Sequence, residues 1–304
     1  MNRSLVALAG ALMVFAAPVL AEERVLLGIG RMFSNDRIGD GDDRWRTGSY
    51  QISVIRGPFW EGQAPGRFGA LLEYRLRGEI IAPSELSTPP AGDRRYAGVL
   101  TFGLHSHATL GPGEMRAGID LVAVGPKTRV SAVHDWLHEQ GSMPSVSVAD
   151  DEIGNRLIPT LSAEIGRAFA MGDSAELRPF VEGRAGDETF LRVGADLSFG
   201  AIETGALWGR ETATGQRYVA VGGQSRPGAS FVLGGDAAFV ADSPYLDGDG
   251  ADPEAEDMRY RLRAGMQLRS QSFGVFYGAT WLSEEFEGQP EGQVLGSLRV
   301  RMDF

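Results

Sequence analysis

The sequence predicts an all-β fold: a transmembrane antiparallel β-barrel of about twelve strands, fourteen being possible, with one short helix in its third outer loop. Three observations point there. An export signal opens the chain, apolar and polar residues then alternate with period two over long segments, and the last of these runs to an aromatic carboxy-terminus at Phe304. The alternating segments reach roughly 10 to 15 residues, longer than the ~5–6 of globular strands and suited to a tilted bilayer crossing.

Residues 1–21 read as a secretory signal peptide and 22–304 as the barrel domain. Arg3 precedes an apolar run from Leu5 to Val19, and Val19-Leu20-Ala21 suits signal peptidase. No later run approaches the ~20 apolar residues of a membrane helix. The first strand spans 24–34 and the second 47–57. The third, 67–81, sets Phe68, Ala70, Leu72, Tyr74, Leu76 and Ile80 against Arg67, Glu73, Arg75, Arg77 and Glu79. Strands follow at 95–107, 114–125, 155–168, 176–184 and 189–200. Residues 201–215 stay unassigned, and 216–241 reads as one long strand. At 257–269, Met258, Tyr260 and Leu262 oppose Arg259, Arg261 and Arg263, and strands at 271–283 and 291–304 close the count. Even parity puts both termini in the periplasm, so the loops 35–46, 82–94, 126–154, 185–188, 242–256 and 284–290 face outside the cell.

The longest loop contains KTRVSAVHDWLHEQG, in which Val130, Val133 and Leu137 form a helical stripe, Gly141 is a stop signal, and Asp135 and Glu139 lie opposite. This predicts an amphipathic helix on the extracellular rim, against barrel wall or lipid.

Net charge of −11 leaves no basic footprint for nucleic acid, and the absence of cysteine excludes disulfides and thiol chemistry. HDWLH has the spacing of a zinc-protease helix with Asp135 in place of glutamate, yet no third ligand is evident, since His105 and His107 lie on a distant strand. Ser106 stands between His105 and His107, but strand neighbours point to opposite faces, and no G-x-S-x-G elbow occurs. DGDGADPEAED lacks the fifth-position acid and sixth-position glycine of a calcium loop counted from Asp247.

SNDRIGDGDDRWRTGSY, APSELSTPPAGDRRYAG, VGPKTRVSAVHDWLHEQ, VADDEIGNR, GDETFLRVGADLSFG and FVLGG occur in the order and spacing of one family, over nearly the whole chain after residue 21. In these blocks the sequence resembles the outer-membrane lipid A 3′-O-deacylases. The resemblance implies a twelve-stranded barrel with its active site between the wall and the extracellular helix. It also implies ester hydrolysis at the 3′ position of lipid A, and dependence on Ca2+. The mechanism it implies is phospholipase A2-like, with a histidine activating water. Carried over residue by residue, the Asn-Asp pair falls on Asn35 and Asp36, the threonine on Thr47, and the helix histidine on His138, while His134 stands where the family has glutamine.

On this resemblance Asp36 holds the metal and His138 is the base, with Asn35 and Thr47 orienting water, carbonyl or imidazole. Thr88 takes the place of a lysine found in some members, and Ala149 stands near the position of a family tryptophan; Arg94 or Arg95 then either supplies positive charge to a lipid A phosphate or serves as a salt-bridge partner at the rim or in the lumen. The expected partner is lipid A or lipopolysaccharide in the outer leaflet, met by a monomer embedded in the outer membrane. The competing readings are a non-enzymatic, porin-like barrel and an outer-membrane phospholipase.

Overall fold

The structure, a computed structural model, describes residues 23–141, 146, 151–246 and 253–302. The expected signal peptide of residues 1–21, Ala149, Asp247 and the closing Asp303 and Phe304 lie outside the described residues.

Twelve strands form the wall. From the rim that carries the termini, β1 (Val25–Asn35) rises and β2 (Trp45–Gly57) descends, followed by β3 (Leu71–Ala82), β4 (Ala97–Leu110), β5 (Gly113–Val124) and β6 (Arg156–Gly166). The two-residue β7 (Phe169–Ala170) only extends the edge of β8 (Ala175–Ala185), and β9 (Thr189–Gly200) comes next. The short β10 (Leu207–Arg210) and β11 (Arg217–Val221) lie outside the wall sheet, which resumes with β12 (Gly228–Asp242), β13 (Met258–Arg269), β14 (Phe273–Leu282) and β15 (Gln293–Met302). All neighbours pair antiparallel, and β1 closes the ring on β15 through Phe33↔Leu298, Ser34↔Ser297 and Asn35↔Gly296.

Alternation sorts the wall as the sequence predicts. On β13 Met258, Tyr260 and Leu262 face outward and exposed while Arg259, Arg261 and Arg263 are buried inside, and β3 repeats this with Tyr74 and Leu76 against Glu73, Arg75, Arg77 and Glu79. The interior is a mesh of ion pairs: Arg263 meets Asp196 at 2.7 Å, Arg261 meets Asp236 at 2.9 Å, and Arg178 meets Glu164 at 2.8 Å. Buried pairs of this kind add little net stability, but deleting one partner strands a charge at a cost of ~3–5 kcal/mol.

The segment read as one strand over 216–241 is divided, and this expectation is corrected. Gly222, Gly223 and Pro227 interrupt it, because glycine weakens a strand interior and proline cannot donate to a ladder. Its first part, β11, pairs with β10 from the unassigned region to make a hairpin that rises from the terminal rim into the lumen. Tyr218 accepts from Gln51 Nε2 at 2.6 Å and lies 2.7 Å from Ser53 Oγ, while Arg210 reaches Glu164 at 2.8 Å and Asp196 at 2.9 Å on the opposite wall. Gly28 of β1 leaves the space: a Cβ there would sit 2.3 Å from the Ala220 carbonyl oxygen.

A lumen filled in this way should not conduct. Planar bilayers holding the protein are expected to show no stepwise currents, whereas deletion of 205–223, joined between the bridged neighbours Thr204 and Gln224, is expected to open channels. Stepwise conductance by the intact protein would favour the porin-like reading.

Candidate active site

The site lies at the rim opposite the termini, on the outer face of the wall. Tyr96 and Gly98 share the outward parity of the exposed Leu100 and Phe102, so the top of β4 offers a surface there. The helix α1 (Val130–Gly141) packs on it. Gly98 lets the helix approach, since a Cβ would come within 3.0 Å of the Val130 Cβ and 2.9 Å of Glu152 Oε1.

Of the two surroundings expected for the apolar stripe, barrel wall or lipid, the helix leaves the wall to its histidines. His134 and His138 are each only 3% exposed and face the wall, while Val133, Trp136 and Leu137 are 55%, 56% and 46% exposed. The stripe therefore looks outward, an arrangement suited to an apolar surrounding rather than to water.

Asn35 ends β1 and ties two elements together. Its Oδ1 accepts from the Arg37 N–H at 2.9 Å, capping a short 3-10 turn, and its Nδ2 donates to the Thr47 carbonyl at 2.8 Å. Both polar groups of the amide are thus engaged with backbone.

Asp36 follows, fully buried. Its Oδ2 accepts from the Arg44 N–H at 2.8 Å and from Gln293 Nε2 at 3.4 Å, while Oδ1 has no hydrogen-bond partner. Burial pushes this carboxyl up to about 8; the nearby charges of Asp43 and Asp40 act in the same direction, and the backbone N–H groups of Arg44 and Arg37 oppose it.

Asp43, in the loop before β2, joins the helix to this corner. Its Oδ2 meets His138 Nε2 at 2.8 Å and its Oδ1 lies 3.7 Å from His134 Nε2. Burial alone would raise Asp43, but the two imidazoles and the Thr47 hydroxyl outweigh it and hold the group below the usual carboxylate range. On its other ring nitrogen, Nδ1, His134 lies 3.1 Å from the Tyr96 hydroxyl, and the two rings stack. Burial holds the Tyr96 phenol protonated.

Immediately after Asp43 and Arg44, Trp45 adopts a left-handed φ of 49°, and the register shifts between Trp45 and Gly48. Such a backbone costs ~1–3 kcal/mol. Burial of the Trp45 indole with Ile81, Val99 and Phe286 offsets it. The turn sends Arg46 into the lumen, to Glu79 at 2.7 Å and Glu285 at 2.9 Å, and leaves Asp43 for the helix.

The structure thus gathers Asn35, Asp36 and Thr47 at one corner and connects His138 to them through Asp43, an acid to which the sequence alone assigns no role. Gln293 was also missed: its Oε1 accepts from the Arg46 N–H at 3.0 Å, so it fastens the Asp36 loop to β15. Nothing in local spacing separates Asp43 from Asp40 and Asp42, and Gln293 lies more than 250 residues from Asp36. Arg94 does not join the site. It is 1% exposed with its guanidinium on Glu285 at 2.5 Å, so of its two expected places it takes the salt bridge and the lipid-phosphate place is corrected, while Arg95 is half-buried next to Tyr96. Thr88 is exposed in the loop between β3 and β4.

Asp43, His134 and His138 also form a group able to hold a metal ion, with one donor atom from each lying within 4.8 Å of the others. Asp36 offers a different position, a buried carboxylate with an open oxygen, which suits a hard cation.

Comparison with known proteins gives a family. The family described as outer membrane protein LpxR matches residues 5–304. Among solved structures, LpxR from Salmonella typhimurium superposes with a TM-score of 0.74 at 16% identity, covering 91% of this chain and 100% of that one. The NanC porin reaches a TM-score of 0.42 at 5% identity (91% and 100% covered). The β domain of the Bordetella autotransporter BrkA reaches 0.41 at 12% identity (91% and 99% covered). Both are too distant to bear on this chain. No curated protein matches.

Proposed function

The chain belongs to the outer membrane protein LpxR family, the lipid A 3′-O-deacylases, and on that premise we propose that it is a calcium-dependent esterase that removes the 3′ ester-linked acyl chains of lipid A, with His138 as general base. The observation that carries this reading is the His138–Asp43 contact at 2.8 Å beside a buried carboxyl, Asp36, that has one oxygen open.

In this reading the His138 imidazole takes a proton from water as the water oxygen attacks the ester carbonyl. Asp43 orients the ring and stabilises the imidazolium that forms. The acyl C–O bond breaks, the sugar oxygen regains a proton, and a free fatty acid leaves. Asp36 and neighbouring loop oxygens hold the hard cation. Bound calcium would polarise the ester carbonyl and stabilise its oxyanion. Asn35 acts as a positioning residue, because its amide fixes the end of β1 against Thr47. Thr47 helps to orient the Asp43–His138 pair, and Arg95 is the cation for a lipid A phosphate. The site faces the extracellular side, where lipid A occupies the outer leaflet, and the protein acts as a monomer.

The exposed face of α1 then lies among acyl chains. Trp136→Asp is expected to lower kcat/KM on membrane-embedded lipid A about fivefold, the equivalent of ~1 kcal/mol of partial indole burial, with a far smaller effect on lipid A dispersed in detergent. Equal losses in both formats would argue against a membrane role for this face.

Purified protein with lipid A and calcium should release fatty acid, stop when the calcium is chelated, and resume on its return. Vesicles of phospholipid alone should release none. Release that persists in excess chelator would remove calcium from the mechanism. Because Asp36 is raised to about 8, protons compete with the cation. Calcium affinity is expected to rise by up to about tenfold per pH unit below pH 8 and to level off above it.

A further inference from the structure

His134 has no part in the hydrolysis described above, yet it completes a donor set unlike that of Asp36. We propose that Asp43, His134 and His138 form a site for a borderline transition-metal ion, zinc(II) above all, distinct from the hard-cation position, and that zinc bound there silences the enzyme. The binding stands on the geometry alone; the silencing rests on the reading of His138 as base.

Two imidazoles and one carboxylate are the donors that zinc selects, whereas calcium takes oxygens. Ligand atoms about 2.0–2.1 Å from a tetrahedral zinc are roughly 3.3 Å apart. The Asp43–His138 and Asp43–His134 separations of 2.8 and 3.7 Å lie on either side of that value. One helix presents both imidazoles from successive turns, their ring centroids 4.5 Å apart.

Two further observations point to a ligand. Asp43 Oδ1 is buried with no hydrogen-bond partner, facing His134 Nε2 at a distance too long for a hydrogen bond and short enough for a shared cation. The outer nitrogen of His134, Nδ1, is held by the Tyr96 hydroxyl, the outer-shell contact that fixes the tautomer of a metal-binding histidine and turns Nε2 towards the ion. Three protein ligands leave a fourth position for water, the arrangement of an open zinc site.

On binding, the proton shared by His138 Nε2 and Asp43 Oδ2 is released, and both atoms become ligands. The imidazole that would accept a proton from water is then committed to the metal.

Cobalt(II), which gives visible bands when four-coordinate, is the probe, used on the folded barrel with calcium present. The expected result is one cobalt per chain with a four-coordinate spectrum that one equivalent of zinc abolishes. Tyr96→Phe should keep the spectrum while weakening the metal roughly 10- to 100-fold, and His134→Gln should lose it altogether. Retained heat-modifiable mobility on gels controls for folding. No four-coordinate cobalt in the wild type, or a spectrum unchanged by His134→Gln, would overturn the site. Within each variant, acyl release is compared with and without zinc: it should fall at least tenfold in the wild type as zinc fills the site, and much less in His134→Gln. If the spectrum appears and zinc-loaded protein still hydrolyses lipid A at the full rate, the site stands while silencing, and with it the base role of His138, fails. If the spectrum is absent while hydrolysis needs calcium and His138, only the zinc site fails.

Discussion

Replacing His138 with alanine is expected to reduce acyl release from lipid A by about 10² to 10⁴-fold, the usual worth of a positioned general base, while the barrel still folds. The loss falls on chemistry because His138 lies outside the wall sheet, on a helix that packs over the outer face of β4 and contributes no ladder hydrogen bond. Asp43 is not stranded by the change. Its side chain keeps about a fifth of its exposure, and His134 remains 3.7 Å away. Kinetics and heat-modifiable gel mobility measured on the same preparation separate the two effects. A variant that folds and retains more than a tenth of the activity would end the assignment of His138 as base.

The second large effect is expected from Asp36→Asn. Removing the ligand charge should abolish calcium binding and lower activity by about 10² to 10³-fold, the scale of a lost oxyanion stabiliser. Stability should change in the other direction. Folding moves this carboxyl from 3.8 to about 8, so between those values the native protein holds a proton that the unfolded chain releases. In calcium-free solution the wild type should therefore gain stability as pH falls from about 8 towards 4, and lose that gain as pH rises through 8. The asparagine variant keeps an oxygen acceptor for Arg44 N–H and carries no titrating group, so this pH-dependent component should vanish and its stability at pH 9 should not be lower than the wild type's. Thermal melts at pH 5 and pH 9 with excess chelator decide the matter. A wild type that grows more stable from pH 5 to 9 under those conditions would contradict the burial of an uncompensated Asp36.

Much of this fold was legible because alternation is a direct consequence of strand geometry. Leu262 beside Arg261 can only mean two faces of different surroundings, and the wall strands sort as that pattern requires. The pattern failed where its assumption failed. Tyr218 and Ala220 belong to a hairpin inside the lumen, buried all round, so their apolar spacing mimicked a continuation of the wall strand that begins at Gly228. The helix was legible as amphipathic, but an apolar stripe names a face and not its surroundings, so the choice between wall and lipid needed the structure: His134 and His138 took the wall side because Asp43 and Tyr96 wait there.

The candidate site was legible only in part. Asn35, Asp36, Thr47 and His138 came from family resemblance, and no spacing rule relates residues about 100 apart. Asp43 was hidden among Asp40 and Asp42. Only the left-handed Trp45 and the register shift that follows decide which of the three acids meets the helix, and neither can be read from composition. Arg94 is held by a buried Glu285 nearly two hundred residues on, while the adjacent Arg95 stays half-buried, a difference that no local pattern announces.

The central claim is that this barrel hydrolyses lipid A at its 3′ acyl chains through His138 and a calcium at Asp36. Its most direct test is mass spectrometry of lipid A from cells expressing the wild type, His138→Ala and Asp36→Asn at matched outer-membrane levels. The account predicts loss of the 3′-linked acyl chains with the wild type and an unaltered acylation pattern with either variant. Identical lipid A from all three, or 3′ deacylation that survives both substitutions, would contradict it.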